Sequence, residues 1–370
     1  MKNTFGSSVS VTLFGESHGD AIGAVLDGMA PGIPFDAEFL AHQMMLRRAG
    51  AEPSLSTARK EKDEVRVLSG VYRGKTTGTP ITFLIENADT HSTDYDKMKG
   101  ALRPGHADFT AQEKYHGFQD ARGGGHFSGR ITAGLCAAGA VAITALARLG
   151  IRIGTHIAEC GGVSDRTFGD LSADIAFLNN ETFAVLDADR AEKMRLAITE
   201  ARENGDSVGG ILETAVTGMP SGVGEPFFDT VESVISHILF AIPAVKGVSF
   251  GSGFELASMT GSTANDAYEV VDGKIRTCTN HAGGILGGIT SGMPILIRTA
   301  IKPTPSIYKE QKTVALPSCE ARTLKIEGRH DPAIIHRARV VADSAVALAL
   351  CDLLALRYGT DFLAGGDSAL

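Results

Sequence analysis

The sequence predicts a mixed α/β (α+β) fold, with strands and helices combined in one compact domain over residues 1–370. Three observations lead to this prediction. Some segments contain β-branched residues at alternate positions, as strands do, and others have apolar residues at helical spacing. The two kinds of segment follow one another along the chain. Two pairs of similar segments recur in the same order, and no low-complexity linker divides the chain. We therefore expect one α/β unit with an insertion, and its 43% hydrophobic content is enough for a large core.

The recurring segments suggest an internal duplication. Each member of the first pair begins with Gly-Asp, continues through a predicted strand and a Gly-Met dipeptide, and ends with Phe-Asp at a predicted helix start. Each member of the second pair begins with Gly-x-Thr and ends with Pro-Ile. The pairs are Gly19–Asp36 with Gly205–Asp229, and Gly74–Ile81 with Gly288–Ile295. Two ordered matches predict a pseudo-twofold duplication, with halves at about residues 7–100 and 205–305. Chance similarity between Gly/Pro turns is the alternative.

Local patterns predict the individual elements. The first strand, Ser7–Phe14, ends in a glycine-flanked turn that holds His18. Gly150 ends a helix of small residues, Pro332 opens the last helix, and a helix with alternating charges is expected to face solvent. The predicted helices are Ala37–Arg48, Ala107–Tyr115, Ile131–Leu149, Asp187–Asn204, Thr230–Ile242 and Pro332–Leu356, and a second strand is predicted at Ile151–Ala158.

Composition excludes several classes of protein. A net charge of −8 argues against a general nucleic-acid or acidic-membrane surface, and the absence of Trp leaves little for base stacking. Five cysteines without a CxxC pair indicate neither a disulfide framework nor a thiolate zinc site. The N-terminus has no signal-peptide pattern, and the most apolar helical stretch, Ala345–Leu356, is interrupted by Asp352. These features predict a cytoplasmic protein that binds neither nucleic acid nor membrane.

One stretch, Arg103–Arg130, has the composition of a binding or catalytic site. It contains His106, His116 and His126 and a triple glycine at Gly123–Gly125. Glycines beside titratable residues allow the backbone to approach a ligand closely. A polar surface loop with a glycine-rich turn is the alternative interpretation.

Histidines elsewhere favour the site interpretation. Six of the eleven lie within two residues of a glycine: His18, His106, His116, His126, His281 and His330. This grouping is typical of acid/base residues presented by several loops. None has HxxxH or HxH spacing, so a metal site is the weaker hypothesis.

Two further segments and several arginines suggest anion binding. The glycine-rich stretch Asn280–Pro294 matches neither the dinucleotide fingerprint nor a P-loop, but it permits either tight packing or a flat cofactor against the backbone. Lys302–Ser306 offers an ammonium and hydroxyls suited to phosphate. We interpret Arg47 and Arg48 as solvated helix-end residues, and the glycine-flanked Arg130 and Arg329 as anion ligands.

Five motifs together resemble the chorismate synthase family, in the family's order along the whole chain. They are Gly15-Glu16-Ser17-His18-Gly19, Arg103-Pro104-Gly105-His106-Ala107-Asp108, Asn280–Gly288, Lys302-Pro303-Thr304 and Gly328-Arg329-His330-Asp331-Pro332. The resemblance implies a lyase that removes phosphate and the C6 hydrogen from 5-enolpyruvylshikimate 3-phosphate to give chorismate. It also implies reduced FMN without net redox change, an external flavin reductant, and a homotetramer of β-α-β-α sandwich subunits.

The resemblance also implies roles for individual residues. His106 is similar to the histidine that protonates the flavin, His18 to the one near the leaving phosphate, and Asp331 to the carboxylate that works with flavin N5. Similar substrate ligands are Arg48, Arg130, Arg329 and Arg337. Similar flavin contacts are His126, Phe127, Ser128, Pro243, Ala244, Gly287, Lys302, Pro303, Thr304, Pro305, Ser306 and Arg329. No metal ligand is implied.

The sequence departs from the common family pattern at a few of these positions. His126 and Phe127 replace an arginine and a serine, Ser54 replaces an arginine, and Pro243 replaces an asparagine. Two other functions are therefore considered: a flavin-binding protein without turnover, against which His18, His106 and Asp331 argue, and a metal-dependent phosphatase, which lacks ligand spacing. We also expect the Asp331 carboxylate to cap the final helix.

Overall fold

The computed structural model describes residues 2–48, 55, 63–87, 100–326 and 330–365. Its α-helices are α1 (Ala37–Arg47), α2 (Asp108–Tyr115), α3 (Thr132–Arg148), α4 (Leu171–Leu178), α5 (Ala188–Glu203), α6 (Val231–Ala241), α7 (Gly261–Ala264) and α8 (Ile335–Tyr358). Single 3₁₀ turns lie at Arg122–Phe127, Gly129–Ile131, Gly253–Ser258 and Thr360–Ala364.

The strands in the first half of the chain are β1 (Thr4–Phe5), β2 (Ser10–Gly15), β3 (Ala21–Asp27), β4 (Val65–Ser69), β5 (Val71–Tyr72), β6 (Lys75–Thr76), β7 (Ile81–Glu86), β8 (Arg152–Cys160) and β9 (Val163–Ser164). Those in the second half are β10 (Gly210–Thr217), β11 (Val245–Phe250), β12 (Tyr268–Val271), β13 (Lys274–Thr277), β14 (Ile285–Leu286), β15 (Ile289–Thr290), β16 (Ile295–Ile301), β17 (Gln311–Ala315) and β18 (Glu320–Leu324).

Two five-stranded antiparallel sheets form the frame. The first has the order β1-β2-β3-β7-β4 and the second the order β11-β16-β10-β8-β9. Helix α3 packs on the first sheet, α8 packs on the second, and the two helices pack against each other. The main hydrophobic core therefore lies between the sheets. The content is mixed helix and strand, as the sequence predicts.

Small residues bring α3 close to both of its neighbours. A Cβ atom at Gly134 would lie 2.6 Å from the carbonyl oxygen of Gly23 in β3, and one at Gly139 would lie 2.2 Å from Cβ of Ser344 in α8. Since neither approach leaves room for a side chain, glycine is required at both points. The small-residue composition of this helix follows from its place between a sheet and a helix.

The second sheet is covered on both faces. Thr155 of β8 faces the inner layer, where its hydroxyl lies 2.6 Å from Oδ1 of Asp343 in α8. The preceding residue, Gly154, faces the other way and packs on Ile175 of α4. Successive side chains of a strand point to opposite faces, so α4 lies on the outer face of this sheet.

Three sequence predictions need correction. The first strand begins at Ser10 rather than Ser7, because the amides of Ser7, Ser8 and Val9 donate to the carboxylate of Asp352 at 2.7–3.1 Å instead of joining the sheet. The last helix begins at Ile335 rather than Pro332, after an N-cap residue, Ile334, without a side-chain hydrogen bond. Asp331 is therefore not its cap.

The third correction concerns apolar helices. Among the residues that the structure describes, the one helix long and apolar enough to cross a membrane is Gly129–Arg148, not the helix that holds Ala345–Leu356, and 83% of its most apolar window is buried inside the protein. Burial of this kind is typical of a core helix.

A buried histidine on β8 makes the stability of the second sheet depend on pH. His156 contacts Asp165 through Nδ1 at 2.8 Å and Glu213 through Nε2 at 3.1 Å. Burial lowers the pKa of His156, but the two carboxylates outweigh it and raise the pKa above its usual value. The stabilising imidazolium contacts are therefore fully present below pH ~6.5 and are lost as pH rises through the folded-state pKa.

We expect the urea midpoint of the wild-type protein to fall as pH rises from 6 to 9, because His156 loses its proton in the folded state. His156→Gln removes the titrating group and should show a smaller fall over the same range. His116→Asn, at an exposed helix end, is the control and should keep the wild-type slope. Equal slopes for wild type and His156→Gln would contradict the assignment.

Candidate active site

A cleft of about 980 Å³ opens where the N-terminal strand, the two 3₁₀ turns at 122–131, the end of α6 and the start of α8 meet. Among the described residues that line it, seven are basic, Lys2, Arg47, Arg103, Arg130, Lys246, Lys302 and Arg337, and Asp331 is the single acidic one. A concave, positively charged surface in a chain of net charge −8 is suited to a ligand with several negative charges.

The triple glycine at 123–125 brings two histidines together. A Cβ at Gly123 would lie 2.1 Å from Cε1 of His18, and one at Gly124 would lie 3.2 Å from Nε2 of His106. All three glycines have positive φ, which other residues rarely adopt. Both imidazoles therefore lie against the same short stretch of backbone, one on each of two successive glycines.

His106 belongs to a cluster with Arg103 and Asp108. Its Nδ1 lies 2.7 Å from Oδ1 of Asp108, and Arg103 donates to both carboxylate oxygens, from Nη2 at 2.6 Å and from Nε at 2.8 Å. Burial raises the pKa of Asp108, but Arg103 and His106 lower it more, so the pKa lies below its usual range. Asp108 is therefore ionised at neutral pH.

His18 does not line the cleft but lies directly behind the glycines. Its Nδ1 is 3.1 Å from the hydroxyl of Ser17, which in turn lies 3.2 Å from the carbonyl oxygen of Arg122. On the cleft side, His126 contacts the carbonyl oxygen of Gly15 through Nδ1 at 2.8 Å, so that Nδ1 must be its protonated nitrogen. Phe127, 38% exposed, packs edge-on against Tyr115.

A buried carboxylate holds two of the arginines. Asp63, with a fully buried side chain, accepts from Nη1 of Arg47 at 2.8 Å and from Nη1 of Arg130. Burial raises the pKa of Asp63, but the two guanidinium groups outweigh it and lower the pKa. Arg47 is a cleft residue, whereas Arg48, which the sequence predicted as a substrate ligand, is not. Helix α1 ends at Arg47, and Arg48 follows it with extended backbone.

The segment after β16 closes the cleft on another side. Nζ of Lys302 donates to the carbonyl oxygen of Gly105 at 2.6 Å, and its backbone amide donates to Ala244, which has a positive φ of 76°. The hydroxyl oxygen of Thr304 is buried and has no hydrogen-bond partner among the described residues. An orphaned buried hydroxyl on a cleft wall is suited to a ligand oxygen.

At the start of α8, Asp331 pairs with Arg337 at 2.5 Å, and Arg337 also donates to the carbonyl oxygen of Arg47 at 3.1 Å. The predicted capping role of Asp331 is thus replaced by an ion pair inside the cleft. His336, next to Arg337, is fully buried, and burial lowers its pKa to about 4. It is therefore neutral near pH 7.

The structure brings most of the predicted site residues to one place. Those that line the cleft are His106, His126, Phe127, Ser128, Arg130, Pro243, Ala244, Lys302, Thr304, Pro305, Ser306, Asp331 and Arg337. Those that do not are His18, Arg48, Gly287 and Pro303. Arg329 and Ser54 lie outside the described residues. Gly287 lies near the start of β16, whereas the cleft residue Lys302 follows the end of this strand, which is about 20 Å long.

Sequence reasoning missed four residues of the site: Arg47, Asp63, Arg103 and Asp108. Arg103 and Asp108 stand in the same motif as His106, and their charge could have indicated partners for that histidine. Nothing in the sequence marks Asp63, whose role depends on a contact with Arg130, 67 residues away. Among the described residues, no group of three His, Cys, Asp or Glu side chains is arranged to hold a metal ion.

The chain is similar to known proteins over nearly its whole length. The family model described as chorismate synthase matches residues 9–355. The chain is 47% identical over 352 residues to the chorismate synthase of Pyrococcus abyssi, covering 95% of this chain and 97% of that protein. It is 45% identical over 349 residues to that of Korarchaeum cryptofilum, covering 94% and 96%.

A solved structure is also similar. The "Crystal Structure of Chorismate Synthase" superposes with a TM-score of 0.75 at 27% identity, and the match covers 96% of this chain and 94% of that one. Sequence and structure thus match over nearly the whole length. The chain belongs to the chorismate synthase family and is an enzyme of the lyase class.

Proposed function

We propose that the cleft binds 5-enolpyruvylshikimate 3-phosphate together with reduced FMN. As a member of its family, the chain removes phosphate and the C6 hydrogen from this substrate by 1,4-elimination and so forms chorismate. The observation that carries the binding proposal is the concentration of basic side chains in a cleft that also contains His106. A substrate with two carboxylate groups and one phosphate group needs such a surface.

The residues on one wall fit a flavin phosphate. Lys302 supplies an ammonium group, and Thr304 supplies the buried hydroxyl described above. The backbone of Gly105 packs against the side chain of Pro305. The exposed ring of Phe127 offers an apolar surface for a flat ring system. When bound, reduced FMN would supply electron density to the substrate during loss of phosphate, with no net redox change.

Three arginines of the cleft fit the substrate anions. Arg47 and Arg130 are held by Asp63, and Arg337 is held by Asp331, so that all three guanidinium groups are fixed before a ligand arrives. Fixed, partly buried donors lose little conformational entropy when they bind an anion. We assign substrate binding to these three arginines, and Arg47 takes the role that was predicted for Arg48.

Three residues handle protons. His106 gains and loses a proton at Nε2, the nitrogen that lies against Gly124 near the cleft. Asp331 is the carboxylate that takes up the proton lost from the substrate. His18 acts from behind the glycines on the leaving phosphate, and this role is supported by its contact with Gly123 rather than by a place in the cleft lining.

We further propose that the enzyme is a homotetramer. Three phenylalanines, Phe227, Phe228 and Phe254, are 85–90% exposed in loops at the end of the second sheet away from the cleft. Exposed aromatic residues of this kind are typical of interfaces. Gly287 lies at the same end, so it can contact flavin only in the cleft of a neighbouring subunit.

The fold supports an internal duplication as well. In chain order, β2, β3, α1, β4, β7 and α3 correspond to β8, β10, α6, β11, β16 and α8, and the strand order β2-β3-β7-β4 corresponds to β8-β10-β16-β11. We propose halves at residues 10–148 and 152–358, wider than the sequence indicated. Counted with the outer helix α4, the layers form a β-α-β-α sandwich.

An external reductant and a cytoplasmic location complete the proposal. The enzyme would then depend on reduced FMN made elsewhere in a reducing compartment. The five free cysteines are consistent with such a compartment.

The function is tested by mixing the protein with reduced FMN and 5-enolpyruvylshikimate 3-phosphate without oxygen. We expect chorismate absorbance and free phosphate to appear in equal amounts, and neither to appear with oxidised FMN. Release of phosphate without chorismate, or no reaction at all, would contradict the proposal.

In the same assay, His106→Ala should lower kcat by about 10²-fold or more, because a general acid/base residue acts on the chemical step. The KM for substrate should change little. His116→Asn, in the same Arg103–Arg130 stretch but exposed at the end of α2, is the matched control and should keep wild-type kcat. A wild-type rate in His106→Ala would make His106 a structural residue.

Asp331→Asn should lower kcat by about 10²-fold or more, because an amide cannot accept a proton at neutral pH. Its melting temperature should stay near that of the wild type, because Asp331 does not cap α8. FMN binding, measured by titration, should be retained. A variant that melts early while its folded fraction turns over normally would give Asp331 a structural role only.

Phe228→Asp should shift the molar mass measured by light scattering from four subunits towards one, because a charge cannot be buried in an apolar interface. Phe118→Asp changes an equally exposed phenylalanine beyond the end of α2 and serves as the control. An unchanged mass in Phe228→Asp would place the interface elsewhere.

A further inference from the structure

Two groups compete for the same nitrogen of His106. Nδ1 lies 2.7 Å from Oδ1 of Asp108 and 3.1 Å from Nη2 of Arg103. A guanidinium nitrogen is only a donor, and an ionised carboxylate is only an acceptor. The imidazole can therefore satisfy one neighbour but not both.

The state of Asp108 decides the competition. Its Oδ2 accepts from the backbone amide of Arg103 at 2.9 Å and from Nε at 2.8 Å, and its Oδ1 accepts from Nη2 at 2.6 Å. Three donors from one residue stabilise the carboxylate, which also stands in the first turn of α2, where the helix dipole favours an anion. An ionised Asp108 at 2.7 Å requires a proton on Nδ1.

We propose that Asp108 is a positioning residue that, held by Arg103, fixes neutral His106 as the Nδ1–H tautomer. The lone pair of the imidazole is then on Nε2, against Gly124, where a proton can be gained and lost. This inference rests on the proposed role of His106. Asp108 itself does not line the cleft and acts through the histidine.

The backbone around the cluster supports the same arrangement. Gly105, with φ of 71°, makes the turn that folds the motif back on itself, and Lys302 donates to its carbonyl oxygen at 2.6 Å. Both ends of the motif are thereby fixed, by the Arg103–Asp108 ion pair on one side and by Lys302 on the other. The ring of His106 has little freedom to turn over.

Asp108→Asn reverses the preference. The asparagine has one side-chain oxygen, and this oxygen takes the Oδ2 position because Arg103 supplies two donors there. The amide nitrogen then takes the Oδ1 position and faces Nδ1 of His106. Since that NH₂ group can only donate to Nδ1, the proton of the neutral ring moves to Nε2. The site then carries the wrong tautomer while its shape is nearly conserved.

The test uses protein labelled with ¹⁵N in the histidine rings, with the His106 signals identified by their loss in His106→Gln. The two tautomers give distinct ring-nitrogen shifts, which are read without flavin or substrate. Asp108→Glu keeps a carboxylate and is the conservative variant. Asp165→Asn is the matched control, because it alters a 2.8 Å contact to Nδ1 of His156, which is remote from the cleft. Melting temperatures identify any variant that fails to fold.

We expect His106 to be Nδ1–H in the wild type and in Asp165→Asn, and Nε2–H in Asp108→Asn. We expect kcat of Asp108→Asn to fall by about 10²-fold or more with KM nearly unchanged, partial recovery in Asp108→Glu, and no loss in Asp165→Asn. If His106 stays Nδ1–H in Asp108→Asn, the inference is overturned, whatever the rate. If the tautomer changes and kcat does not, the link to catalysis is overturned, whereas chorismate formation by the wild type still tests the proposed function separately.

Discussion

The active site depends on the contact between three successive glycines and two imidazole rings. Gly123 and Gly124 each give up the space of a side chain to one histidine, and Gly125 does the same for the carbonyl oxygen of Asp120. Because their φ values are all positive, no other residue type could follow this path without strain. His18 and His106, 88 residues apart in sequence, are brought together by this backbone. The chain then continues through the 3₁₀ turn at 129–131 into the buried helix α3.

Electrostatic preparation is the second constraint. The cleft concentrates basic groups in a protein of negative net charge, and carboxylates paired with arginines make this possible at a few points. Asp63 stands between Arg47 and Arg130, Asp108 beside Arg103, and Asp331 beside Arg337. Removing Asp63, whose side chain is fully buried, would leave two buried guanidinium groups without compensation, which is costly. The pairs therefore maintain both the stability of the walls and the direction in which the arginines point.

The sequence was informative about elements and motifs, and less so about contacts between them. Helical spacing and small residues located the core helix at 132–148 to within one residue of its ends. The glycine-flanked motif located His106 in the cleft, and the ammonium and hydroxyl groups of Lys302–Ser306 located Lys302 there. Boundaries failed where a side chain from far along the chain intervened, as Asp352 does at Ser7–Val9. Which of Arg47 and Arg48 lines the cleft depends on the residue at which α1 ends. Local sequence patterns do not determine a helix end to a single residue. Asp63 could not be found at all, because its importance comes only from tertiary contacts.

The contact between Asp352 and the amides of Ser7, Ser8 and Val9 joins points about 345 residues apart. During synthesis, the N-terminal strand is made first, but its acceptor is on the last long helix. The link between β1 and β2 therefore gains these hydrogen bonds only when nearly the whole chain has emerged from the ribosome. Contacts of such long sequence separation slow folding. A truncated product that lacks α8 would leave these three amides without their acceptor.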